Sequence, residues 1–167
     1  MANQLYTAIL TNVGLAEVQK ALWAHSQLEV VYMGYGDGNG ATYTPTPDMT
    51  DLKRRLDLVD LQNQVVDVAS GVTWFEAIIG AEKANGVIRE LGLYTADMKM
   101  IAVANTPEVE KVAVSSGALI DIPVSLGIKN SISQSITIPM QPSDEYASKA
   151  WVYQAIEKIS GIDCGTF

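Results

Sequence analysis

Cysteine and histidine are almost missing from this chain. Among 167 residues there is one of each, Cys164 and His25. A lone thiol cannot close an internal disulfide, so the fold must rest on a packed core. That suits a reducing compartment, or a secreted protein that needs no staples. A zinc site has almost no ligands to draw on. A Ser-His-Asp triad would have to use His25, and no Gly-x-Ser-x-Gly elbow is present. Positive charge is scarce as well: 11 Lys and Arg stand against 19 Asp and Glu, for a net charge of -8. Nucleic acid and anionic membrane surfaces both call for a basic face, so neither is an expected partner. Long apolar runs are absent, and none approaches the roughly 20 residues of a membrane span. Met1-Ala2-Asn3-Gln4 carries no basic residue, and Thr11, Asn12 and Glu17 interrupt the apolar stretch behind it. No signal peptide is expected.

What is present suffices for one domain with a real core, at 48% hydrophobic residues. Thr11-Asn12 offers cap side chains for an amphipathic helix running to about His25, with Leu15, Val18 and Leu22 on the buried face. Glu29 to Tyr35 reads as a strand. Residues 41–50, with two prolines and four threonines, read as an ordered loop. Short strands follow near Arg55 to Leu61 and Gln64 to Val68. Val72 to Gly80 and Val87 to Tyr94 flank Asn85-Gly86, which predicts a hairpin turn. Residues 95–99 read as a second turn, leading into Met100 to Asn105. Ile120, Ile122, Val124, Leu126 and Ile128 alternate with polar or small residues, and Pro123 implies an edge position or a bulge. Lys129-Asn130-Ser131 then predicts a turn into a partner strand carrying Ile132, Ile136 and Ile138. Ser148 can cap a closing helix with Val152, Ile156 and Ile159 along one stripe, Trp151 and Ala155 beside it, and Gly161 at its end.

Two segments invite a chemical reading. The first is Met33-Gly34-Tyr35-Gly36-Asp37-Gly38-Asn39-Gly40, with glycine at every second position. It fails G-x-G-x-x-G, because the sixth residue is Asn39 counted from Gly34 and Ala41 counted from Gly36. It also lacks the Gly-Lys-Ser/Thr ending of a phosphate loop. Asp37 and Asn39 resemble the start of a calcium loop, yet Ala41 and Thr42 stand where a ligand and a glycine belong. A turn or bulge at a strand end is the simpler reading. The second segment is Val87-Ile88-Arg89-Glu90-Leu91-Gly92-Leu93-Tyr94, a charged pair inside an apolar strand. Arg89 and Glu90 point to opposite faces and cannot pair with each other. They are either surface residues on a partly exposed sheet or members of a subunit interface. Glu76 and Asp121 are the candidate partners of Arg89 within the chain. Trp74, Phe75 and Tyr94 read as core, and Trp151 as a residue another copy would cover.

Taken in order, these segments resemble the N-terminal domains of the phage tail-collar fibre family. The resemblance covers about residues 5 to 155. Tyr6-Thr7-Ala8-Ile9-Leu10-Thr11-Asn12-Val13-Gly14 is like the family's opening "tyrosine, apolar, Thr-Asn-x-Gly" segment. Tyr32 to Gly40 is close to its "Met-x-x-Gly-Asp-Gly-x-Gly". Leu52 to Arg55 resembles its "leucine, basic" segment, and Ile88 to Leu93 its "Ile-Arg-Glu-x-Gly-Leu". Asp97 to Asn105 resembles the turn and strand ending in "Ala-Val-x-Asn", and Ala147 to Val152 the start of the closing helix. One departure is Asn85-Gly86-Val87, where the family often has Gly-Gly-Phe or Gly-Gly-Tyr.

The resemblance implies a non-enzymatic virion protein without cofactor or metal, made in the bacterial host cytoplasm and placed in the virion tail. It would attach a tail fibre to the baseplate of a contractile phage tail or a phage-like particle. The expected partners are two further copies in a homotrimer, a baseplate wedge protein and a separate distal tail-fibre protein. A chain ending at Phe167 favours a short adaptor over a full fibre. The expected fold is α+β: mostly antiparallel, sandwich-like sheets, the N-terminal helix packed on the sheet, and a short neck helix. Residues 1–142 would be the anchor, and 143–167 the neck or docking segment. Interface candidates are Gly36, Asp37, Gly38, Asn39, Gly40, Arg89, Glu90, Trp151, Val152, Ile156 and Ile159. The competing reading is a small carbohydrate- or calcium-binding domain using Asp37 and Asn39.

Overall fold

The computed structural model describes residues 8–111, 121–129 and 136–138. The expected closing helix, with Trp151, Val152, Ile156 and Ile159, lies outside the described residues, as does the boundary at 142.

The main sheet has five antiparallel strands in the order β1 (Ala8–Leu10), β8 (Met100–Lys111), β7 (Gly86–Tyr94), β3 (Tyr32–Gly36) and β4 (Arg55–Asp60). A second antiparallel sheet holds β5 (Asn63–Asp67), β6 (Val72–Ile79) and β9 (Ile122–Lys129). A two-stranded parallel ladder joins β2 (Leu28–Glu29) to β10 (Ile136–Thr137). The class is α+β, dominated by antiparallel sheet. Alternation along β6 explains how the sheets meet. Thr73, Phe75, Ala77 and Ile79 are buried, while Trp74 and Glu76 between them are exposed. Phe75, Ala77 and Ile79 form one cluster with Met33, Tyr35, Leu91 and Leu93 of the main sheet and Leu126 and Ile128 of β9. Among the described residues β9 is an edge strand, which accommodates the missing N–H of Pro123.

The helix, α1 (Asn12–Trp23), starts where the sequence places it. The Thr11 hydroxyl accepts from the Gly14 amide at 2.9 Å and donates to the Met100 carbonyl at 2.6 Å. The cap therefore also ties the helix start to β8. Removing that hydroxyl loses the cap and leaves a buried carbonyl short of a donor. Thr11→Ala should lower stability by about 1–2 kcal/mol in urea unfolding, with an unchanged m-value. The buried face differs from the expected one. Gly14, Val18 and Ala21 are buried, whereas Leu15 and Leu22 are 37% and 47% exposed. The cause is Gly14, whose missing Cβ lets the helix approach the Ile101 backbone so closely that any side chain would strike the carbonyl. Small residues then face the sheet, and the leucines turn to the flank. The helix also stops before His25. The Ser26 amide bonds back to Ala21 and the His25 amide to Leu22, with His25 at φ 53. This is a Schellman ending with histidine in the place glycine usually takes.

Three pairings correct the sequence reading. β6 and β7 do not form a hairpin about Asn85-Gly86, because they belong to different sheets. Residues 80–85 cross between the sheets, held by buried Lys111, whose ammonium donates to Ala81 O at 3.1 Å and Lys83 O at 2.8 Å. The stretch from Glu29 to Tyr35 is split. Val30 N bonds Thr137 O at 2.8 Å and Val31 N bonds Tyr94 O at 2.8 Å, so the chain changes sheets between them. Finally, Ile136–Thr137 pairs with β2 rather than back onto β9. The turn at 95–99 is as expected, closed by bonds between Thr95 and Lys99 and between Met98 and Thr95.

Candidate functional site

The alternating glycines of the first motif and the glutamate of the second occupy one structure. On β3, residues two apart share a face, so Gly34 and Gly36 look the same way. Their cross-strand partners on β7 are Gly92 and Glu90. A Cβ on Gly34 would sit 2.6 Å from the Tyr94 ring. A Cβ on Gly36 would strike both the Arg54 carbonyl and the Glu90 carboxylate. The glycines thus vacate the space that a tyrosine ring and a carboxylate fill. Residues 41–54 close over that face, and Leu52, Tyr94, Met100 and Val103 form a second small core beneath them.

Glu90 is fully buried. Its Oε1 accepts from Gly38 N at 3.1 Å and Arg54 N at 3.0 Å. Its Oε2 accepts from Lys53 N at 3.0 Å and from the Tyr43 hydroxyl. All four donors are uncharged, and together they fill a carboxylate's usual four acceptor positions. One side chain therefore ties together the turn after β3, the start of the proline loop and the approach to β4. An outer ring supports it. Asn105 Nδ2 donates to Tyr43 O at 2.9 Å. The Lys53 ammonium lies 4.0 Å over the Tyr43 ring. The Tyr94 hydroxyl donates to Asp51 at 2.6 Å.

The glycine turn is built from the same parts. Gly38, Asn39 and Gly40 have φ of 64°, 59° and 84°, the left-handed region that glycine and asparagine enter most readily. Asp37 accepts from Asn39 N at 2.9 Å and pairs with Arg54 at 3.1 Å. Both Asp37 carboxylate oxygens are thus engaged within the chain, which removes the support for the calcium reading. Among the described residues no three His, Cys, Asp or Glu side chains are placed to hold a metal ion.

Seven of the sequence's interface candidates are brought together here. Gly36, Gly38 and Glu90 are buried inside the chain, Asp37 and Arg89 are half-buried, and Asn39 and Gly40 are exposed. Trp151, Val152, Ile156 and Ile159 lie outside the described residues. The surface reading of Glu90 is corrected by its full burial. The expected partners of Arg89 are corrected too. The β7–β8 ladder is interrupted so that Ile88 faces Val109 and Glu90 faces Asn105, leaving Arg89 opposite the irregular stretch 106–108. It pairs there with Glu108 at 2.7 Å and donates to Asp37 O at 3.3 Å. Glu76 instead accepts from Asn63, and Asp121 from Ala81 N. Tyr43, Asp51, Lys53 and Arg54 belong to this Glu90-centred lock although the sequence reading did not single them out, and Tyr94, read there as core, belongs to it as well.

Burial raises the phenols of Tyr43 and Tyr94 well above the usual tyrosine value, and their hydrogen bonds to Glu90 and Asp51 add to it. Burial, with smaller contributions from Asp57 and Glu82, pushes Tyr35 up to about 12. A phenol held neutral by the fold stabilises it fully below pH 10, and that stability is lost as pH rises through the folded value. Alkaline titration should therefore show the tyrosinate absorbance of Tyr35, Tyr43 and Tyr94 appearing together with loss of near-UV circular dichroism. Phenols that all titrate in the free-tyrosine range with the dichroism intact would contradict this.

Outside the lock, a cleft of about 410 Å³ opens between β4 and β6, lined by Tyr32, Asp60, Ile78, Glu82, Lys83 and Asp121 among others. Neither Glu90 nor any residue bonded to it lines this cleft. The lock itself is fitted for holding backbone in place, because its carboxylate has no acceptor position left for a substrate.

Comparison with known families gives a match over residues 1–150 to the phage tail-collar fibre protein, N-terminal. No curated protein and no solved structure matches the chain significantly. The matched span contains the capped helix, the glycine turn, the proline loop and the Arg89-Glu90 strand, and it leaves only the last 17 of 167 residues uncovered. The chain belongs to the phage tail-collar fibre protein family, of which it carries the N-terminal part.

Proposed function

We propose that this domain fixes a tail fibre to the baseplate of a contractile phage tail or a related phage-like particle. The family is structural rather than enzymatic and places the chain in the virion tail. The observation that carries the finer reading is the lock. A carboxylate that joins three backbone segments at four points makes a rigid platform out of a loop-rich surface. Rigidity at that surface suits an element that transmits force between a fibre and a particle. In this reading the exposed parts of the turn, Asn39 and Gly40, and the half-buried Asp37 and Arg89 face another subunit. The domain works as a homotrimer, with Val152, Ile156 and Ile159 at the seam. A baseplate wedge protein holds it on one side and a distal fibre protein extends from the other.

The test joins two measurements on the full chain, made in host cytoplasm together with the tail genes. Light scattering should give three times the 18.0 kDa chain mass. Affinity capture from lysates containing assembled tails should retain a baseplate protein. A monomeric mass with no retained baseplate protein would overturn the proposal.

A further inference from the structure

We propose that the exposed apolar flank of α1, formed by Leu15, Leu22 and Trp23, is the seat of this chain's own C-terminal segment, residues 147–160, docked through Trp151 and Ala155. The proposal rests on reading that segment as a helix.

The two flanks of α1 differ sharply. On one, Glu17 pairs with Lys20 at 2.6 Å and Lys99 at 3.4 Å, so its charges are satisfied within the described fold. On the other, Trp23 is 88% exposed and stands with the two partly exposed leucines at i, i+7 and i+8. A tryptophan grouped with two leucines on an otherwise well-packed domain marks a contact surface.

The path of the chain indicates what covers it. β10 runs parallel to β2 with Ile136 opposite Leu28, and β2 begins five residues after Trp23. The described fold therefore ends at Ile138 beside the segment that follows α1. The eight residues 139–146 can span about 25 Å when extended. That exceeds the roughly 18 Å length of a 12-residue helix. Residues 147–160 can thus lie along α1 without strain in the connection. Their sequence supplies a matching surface. On a helix, Trp151 and Ala155 are one turn apart and beside the Val152, Ile156, Ile159 stripe, which stays available for a seam between copies.

The test uses the full chain. In a Trp74→Phe parent, the difference in emission with and without Trp23→Phe reports Trp23 while its proposed partner Trp151 stays in place. The Trp23 emission should be blue-shifted and poorly quenched by acrylamide, and adding Ala155→Asp should shift it to the emission and quenching of an exposed indole. A Trp23 already exposed in the parent overturns the proposal. Independently, Leu22→Cys with Ala155→Cys in a Cys164→Ser background should oxidise to a disulfide within one chain, seen as a faster monomer band on a non-reducing gel. A cross-linked dimer assigns the flank to a second copy, and the absence of any cross-link leaves it uncovered. Both overturn the proposal. Light scattering on the same samples separates the two readings. A trimer with an exposed Trp23 overturns this contact alone, while a monomer with a shielded Trp23 overturns the trimer and keeps the contact.

Discussion

Glu90→Ala is expected to lower the stability of this domain by about 3–5 kcal/mol, because it strands several donors that the fold holds in place. Hydrogen bonds to a charged acceptor contribute about 1.5–3 kcal/mol each, and a buried donor left without a partner costs about 1–3 kcal/mol. The amides of Gly38, Lys53 and Arg54 and the Tyr43 hydroxyl all lose their acceptor at once. Some of these will find water, since Lys53 and Arg54 lie near the surface, and this keeps the loss below the plain sum. Glu90→Gln should lose less than the alanine variant. Its amide oxygen can serve two donors, while its NH₂ group can donate to the Tyr43 hydroxyl but must meet the Lys53 amide donor to donor. Arg89→Ala is the control. Its partner Glu108 is largely exposed, and such a pair is worth about 0–1 kcal/mol. In a domain whose total stability is about 5–15 kcal/mol, the two neighbours of one motif should thus differ several-fold in effect. Urea unfolding of the three variants decides it. Equal losses at positions 89 and 90 would mean that Glu90 is not the centre of the structure.

The second large effect is expected at Gly36. An alanine there places a methyl group against the Arg54 carbonyl and the Glu90 carboxylate, and the first of these is backbone that cannot step aside cheaply. Overpacking typically costs about 1–3 kcal/mol, and here the displaced carboxylate would lose bonds as well, so a loss of about 3 kcal/mol or more is expected. Gly40 in the same run makes the contrast. Nothing lies within 4 Å of where its Cβ would be, although φ is 84°. Gly40→Ala should therefore show only the left-handed penalty of about 1–2 kcal/mol. If the run were merely a flexible strand-end turn, the two alanines would act alike. A Gly36→Ala loss that shrinks in the Glu90→Ala background would show that the two residues act on each other, as a double-mutant cycle measures.

These positions also show how far the sequence could be read. The helix start was legible because Thr11 is a local signal acting on residues beside it. The 95–99 turn and the edge placement of Pro123 were legible for the same reason. The helix face was not. Its period pointed to leucines, and the close approach of Gly14 to Ile101 is a contact between residues 87 apart. The sheet assignments failed where one strand-like run was shared between two sheets. Val30 and Val31 look alike in sequence, and only their partners, Thr137 and Tyr94, distinguish them. The lock was half visible. Glycine at every second position did signal an emptied strand face, and an acid inside an apolar strand did signal a partner elsewhere. What joins them is a set of backbone amides 36 to 52 residues from Glu90, and a backbone amide leaves no mark in a sequence. For that reason Gly36 and Glu90 read as separate interface candidates when they are two sides of one contact.

The central claim is that the two motifs form a single buried lock, and amide hydrogen exchange reads it directly. In the native chain the amides of Gly38, Lys53 and Arg54 should exchange slowly and with similar protection, since all three bond one buried carboxylate and open together. In Glu90→Ala they should become fast as a group, while amides of the β6–β9 ladder keep their relative protection. Native Gly38, Lys53 and Arg54 amides exchanging at the rate of an open loop would contradict the lock.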